Sequence, residues 1–134
     1  TAILIDEDCY VIRIARDIPS INVPVITGVN VVTFTTGSRL GASKTRQIED
    51  ISNILTALID WGVLETFSEV NLSQFDDVYL VTRGGMIVVL GDTSGLDDKI
   101  MWTKNVLDEL AASGVSKGEI DVSSGKMAVY SPES

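Results

Sequence analysis

Histidine is missing from this 134-residue chain, and cysteine occurs once, as Cys9. Without an imidazole there is no Ser-His-Asp or Cys-His nucleophile system, and most zinc sites lose a ligand type. A lone thiol closes no intrachain disulfide and identifies no redox compartment. Basic residues are scarce as well. Ten Lys and Arg stand against 19 Asp and Glu, for a net charge of -9. Such a surface repels phosphate backbones and anionic lipid, which argues against nucleic-acid partners and membrane adsorption. No apolar run nears the roughly 18–20 residues of a membrane helix.

What is present points to a folded domain. Hydrophobic residues make up 45% of the chain, too many for intrinsic disorder. Chains of this length typically bury about two-thirds of their unfolded surface, enough for a core without disulfides. No repeat or linker divides the sequence, so residues 1–131 read as one domain and 132–134 as a tail. The first residues, Ala2 to Ile5, are apolar like the inside of a strand, so the sequence is expected to be a piece of a longer protein.

Ile3–Ile5 and Tyr10–Ile14 are β-branched runs around Asp6-Glu7-Asp8-Cys9, a hairpin with an acidic turn. The three acids lack the ligand periodicity and glycine of an EF-hand loop, so a plain turn is preferred to a calcium site. Pro24-Val25-Ile26-Thr27-Gly28 is extended and Val29–Phe34 could be a further strand, followed by a loop over 35–43. Lys44–Trp61 has a clear helical period. Ile48, Ile51, Leu55 and Leu58 form its stripe, Ile54 and Ile59 widen it, and Glu49, Asp50 and Asn53 fall outside. Val63–Leu72 reads as a strand, and Val78–Arg83 with Met86–Leu90 as a hairpin. Its turn, Gly84-Gly85, is expected to take positive φ at both positions. Leu96–Ala112 is the second helix, with a predicted capping box from Ser94 to Asp97 and an outer Lys104–Asp108 pair. Glu119–Val122 and Lys126–Tyr130 make a last hairpin that Pro132 terminates.

Little of this carries chemistry. Asp76-Asp77 looks like a turn and Asp97-Asp98 a helix start, where negative charge suits the dipole. Cys9 has no histidine to activate it and is expected to pack as a small apolar group. Trp61 and Trp102 are expected to be buried, with partner binding as the alternative. No catalytic, cofactor-binding or metal-ligating residue is expected, and the chain is read as a non-enzyme. The hydrophobic stripes of both helices need a sheet to cover them, so the expected fold is α+β, a curved, mainly antiparallel sheet with two helices packed against it.

The order of short motifs resembles a known family. Val70-Asn71-Leu72 is followed by Val78-Tyr79-Leu80-Val81-Thr82-Arg83-Gly84-Gly85 and Ile87-Val88-Val89-Leu90-Gly91. Lys99 lies in the next helix, Gly118-Glu119-Ile120-Asp121-Val122 comes later, and Tyr130 and Pro132 close the series. Upstream, Leu4-Ile5-Asp6 and Pro24-Val25-Ile26-Thr27-Gly28 match in order. The chain thereby resembles the C-terminal β domain of the bacterial division protein family FtsQ, called DivIB in Gram-positive bacteria. It departs from the family where Asp8-Cys9 stands in place of a usual glycine, and where Val23-Pro24 replaces Leu-Pro.

The resemblance implies a single-pass cell-membrane protein of the divisome, with this domain on the extracytoplasmic side and a membrane helix and POTRA domain upstream. It implies a scaffold that recruits FtsB/DivIC-type and FtsL-type partners by strand addition at the C-terminal edge during septum formation. The partner-binding residues it points to are Ile120, Val122, Lys126, Met127, Val129 and Tyr130. A different reading of the acidic, two-tryptophan surface is a secreted or surface module for peptide or carbohydrate.

Overall fold

A computed structural model describes residues 1–133. Strand β1 (Ala2–Ile5) pairs antiparallel with β2 (Val11–Ala15), placing Ile3 opposite Ile14. Their acidic turn closes on itself, because Asp6 Oδ1 accepts the N–H groups of Asp8 and Tyr10, both at 2.9 Å. That carboxylate is thus occupied by backbone, and among the described residues no cluster of acids could hold a metal ion. The loop expected over 35–43 contains a short strand, β5 (Gly41–Ala42), paired with β4 (Val31–Thr33).

The main sheet has six strands in the order β10–β9–β8–β7–β6–β3. They are β3 (Val25–Thr27), β6 (Phe67–Asn71), β7 (Val78–Thr82), β8 (Met86–Gly91), β9 (Gly118–Asp121) and β10 (Val129–Ser131). Three ladders are antiparallel (β10/β9, β8/β7, β7/β6) and two are parallel (β9/β8, β6/β3). Each parallel pair is separated in sequence by a helix, as parallel neighbours need a long crossover. Helix α1 (Thr45–Asp60) lies between β3 and β6, and α2 (Leu96–Ala112) between β8 and β9. The fold is α+β, with an open, mainly antiparallel sheet and two helices packed on it.

One core joins the layers. Ile48, Ile51, Ile54 and Leu58 of α1 and Ile100 of α2 meet Phe67, Val70, Val78, Leu80, Met86, Val88, Leu90 and Ile120 from the sheet. Each such fully buried side chain contributes roughly 1.5–3 kcal/mol of transfer free energy.

Four expectations need correction. The segment over 63–72 is not one strand. Residues Leu64–Thr66 form a 3-10 turn, whose Glu65 carbonyl accepts from Arg83 Nε at 2.8 Å, and pairing starts at Phe67. In the β7–β8 turn only Gly85 has positive φ, at 102°. Its N–H bonds to the Thr82 carbonyl, the signature of a turn ending in a left-handed glycine rather than a two-residue primed turn. The Ser94 capping box is absent. Gly95 is the N-cap of α2, and Ser94 instead donates both its N–H and its hydroxyl to Asp92 Oδ1. On α1, Ile59 is exposed and Asp50 is buried, with Asp50 Oδ1 accepting from the Thr93 hydroxyl at 2.9 Å.

That Asp50–Thr93 bond ties α1 to the β8–α2 connection, and a buried lysine ties α2 to it as well. Lys99 is 2% exposed and its Nζ donates to the Asp92 carbonyl at 2.9 Å and to Asp92 Oδ1 at 3.2 Å. The Ser94 hydroxyl and N–H, then Lys99, hold the Asp92 carboxyl down to about 2.

Candidate protein-interaction site

The last strand, β10, has β9 on one side; on the other side no strand of the described residues pairs with it. An edge of this kind presents unpaired N–H and C=O groups to any chain that can extend the sheet. The strand is anchored from within. Val129 lies opposite Asp121, and Tyr130 opposite Ile120. Tyr130 therefore shares the helix-covered face with Ile120, while Val129 stands on the other face. Tyr130 is half-buried, and its hydroxyl donates to the Lys117 carbonyl at 3.1 Å. Gly118, at φ 127°, permits this approach. A Cβ there would come within 2.6 Å of the Ser131 carbonyl oxygen and 2.8 Å of Tyr130 Cε1.

The hairpin turn is fastened to α2. Trp102 Nε1 donates to the Gly125 carbonyl at 3.3 Å, and the Gly125 N–H bonds back to Val122. Alongside this bond runs an open groove of about 450 Å³. Trp102, Val106, Asp108 and Glu109 of α2 form one wall, and Met127 and Ala128, just before β10, form the other.

The six residues implied by the resemblance separate into two groups. Lys126 is exposed, as are Met127 (56%) and Val129 (52%), and Tyr130 is half-exposed. Ile120 and Val122 are fully buried, because β9 lies between β8 and β10 and both side chains belong to the core. A partner at the edge would meet the first group and not these two. No local pattern of residues signals the groove, since its walls come from segments about twenty residues apart that only the fold brings together.

Other candidate groups sit elsewhere. Asp76 and Asp77 are exposed in the turn before β7, and Asp97 and Asp98 are exposed in the first turn of α2. Both tryptophans are half-buried, and the Trp61 indole N–H is spent on Asp97 Oδ1 at 2.8 Å. Cys9 is inaccessible, its Sγ 3.5 Å from the Ile48 carbonyl, and burial pushes its thiol up to about 11. Such a thiol is a poor nucleophile.

Compared with models of protein families, with curated proteins and with solved structures, the chain matches none.

Proposed function

We propose that this chain is the extracytoplasmic β domain of an FtsQ/DivIB-type division protein. In this reading it is a non-enzymatic scaffold, anchored in the cell membrane by a helix upstream, that recruits FtsB/DivIC-type and FtsL-type partners by adding a partner strand to β10. The observation that carries the reading is the open outer edge of β10, at the place in the chain where the family resemblance puts the partner.

A second observation supports it. Cys9 belongs to the Asp8-Cys9 pair where the resemblance departs from the family's usual glycine, and it has φ 65°, the left-handed region that favours glycine.

The edge by itself is a weak handle. A three-residue strand offers only a few outward backbone groups, each worth roughly 0.5–1.5 kcal/mol net when paired. Micromolar binding needs about 8 kcal/mol. Side chains beside the edge must contribute most of the affinity, and Met127, Val129 and Tyr130 are the apolar groups available there.

The test is calorimetric titration of the chain with the extracytoplasmic segment of the FtsB/DivIC-type protein of the same genome. Saturable one-to-one binding that Val129→Lys weakens is the expected result. Val129 is exposed and faces Asp121, so a lysine there is tolerated by the fold yet blunts the edge. Absence of binding by the parent chain would overturn the proposal.

A further inference from the structure

The groove beside β10 has a chemistry of its own. Its walls carry the apolar groups of Trp102, Val106, Met127 and Ala128 beside the polar Asn105, and the charged side chains that line it, Asp108 and Glu109, are both acidic. Lys104 pairs with Asp108 at 2.9 Å, but among the described residues no cation pairs with Glu109. Both acids lie toward the carboxyl end of α2, whose last turn holds no basic residue. Negative charge there adds to the negative end of the helix dipole instead of offsetting it. The groove therefore combines exposed apolar surface with one acid, Glu109, that no cation among the described residues pairs, and it continues directly into β10 through Met127 and Ala128.

We infer that the polypeptide that extends the sheet at β10 also fills this groove, with a large apolar side chain seated between Trp102 and Met127 and an adjacent lysine or arginine opposite Glu109. The inference rests on the strand-addition reading and specifies the partner's chemistry beyond it. An apolar anchor in a groove would contribute the side-chain burial that the short edge lacks, and the basic neighbour would fix orientation and discriminate against acidic partners.

The test is selection of displayed random linear peptides on the whole folded chain, followed by titration of the selected peptides against variants. The expected peptides place Lys or Arg next to Leu, Phe, Trp or Met. Trp102→Ala should weaken them about tenfold or more, as for an interface anchor. Glu109→Lys should weaken them roughly two- to fivefold, as befits an exposed charge pair, and the effect should shrink at high salt. Val129→Lys should weaken the same peptides. Met127→Ser and Glu109→Lys change only exposed side chains, and they decide the matter if Trp102→Ala fails to fold. Peptides that need the β10 edge but ignore Trp102, Met127 and Glu109 would overturn the groove assignment and leave strand addition standing. Peptides that need the groove but ignore Val129→Lys would overturn the claim that one polypeptide uses both. Recovery of acidic or sequence-neutral binders, or of none, would overturn it equally.

Discussion

The Tyr130 hydroxyl reaches back across the last two strands to the carbonyl of Lys117, 3.1 Å away, and so clamps β10 to the segment that leads into β9. The aromatic ring lies over Gly118, in space that any larger residue would occupy. The edge strand is thus held on its inner side while its outer side stays open.

Tyr130→Phe should leave the fold and partner binding intact and lower stability by about 1 kcal/mol, the usual net worth of one hydrogen bond. Tyr130→Asp should weaken the fold as well as binding, because it puts a carboxylate at a half-buried position. Denaturant unfolding run beside calorimetry separates the two effects. Val129→Lys is the cleaner probe of the edge.

Gly118→Ala should loosen β10 without dissolving the core. The added methyl must displace Ser131 or Tyr130, and φ 127° is itself unfavourable for alanine. A loss of roughly 1–3 kcal/mol is expected. The amides of β10 that bond to β9 should exchange faster, while exchange remains slow in β7 and β8. Unchanged exchange in β10 would show that the strand is held by something other than this approach.

Lys99→Met keeps the aliphatic stem in the core and removes the bonds to Asp92. It should cost about 1–3 kcal/mol. Lys99→Ala also removes the packing and should cost more, about 2–5 kcal/mol. The Asp92 carboxyl is held down to about 2 from an ordinary 3.8. A lowered folded pKa means that its contribution is complete above about 3.8 and drains as pH falls toward about 2. Asp92→Asn should flatten stability across that window in acid titrations followed by circular dichroism.

Both helices were legible in the residues because burial imposes period, and the last hairpin was legible in outline, although its second strand is Val129–Ser131 and not Lys126–Tyr130. Ile48, Ile51, Leu55 and Leu58 recur on one face of α1, and Pro132 marks the end of β10. Asp50 and Lys99 were not legible, because periodicity assigns charged residues to solvent, whereas each finds a polar partner in the β8–α2 connection. The capping box failed for a related reason, since Ser94 had a nearer acceptor in Asp92. Strand order was hidden too. Nothing local says that β9 runs parallel to β8, and that placement is what buries Ile120 and Val122 and leaves β10 outermost. The edge at β10 was expected only through the family resemblance, and the groove was not expected at all.

Cys9 should resist iodoacetamide in the folded protein and react once the chain unfolds, since it is both inaccessible and protonated. Its thiol is raised from 9.0 to about 11, chiefly by burial. A raised folded pKa means that its contribution to stability is intact below about 9 and is lost as pH climbs toward about 11. Cys9→Val should be worse tolerated than Cys9→Gly, because a β-branched residue at φ 65° is strained where glycine is not. Thermal unfolding of the two variants gives the order.

Residue-resolved amide exchange of the chain, free and saturated with the FtsB/DivIC-type segment, is the most direct test of a completed sheet. Outward-facing amides of β10 should exchange quickly in the free protein and gain strong protection in the complex, while the opposite edge strand, β3, stays unchanged. Saturated binding with β10 exchanging as it does in the free chain would contradict the account.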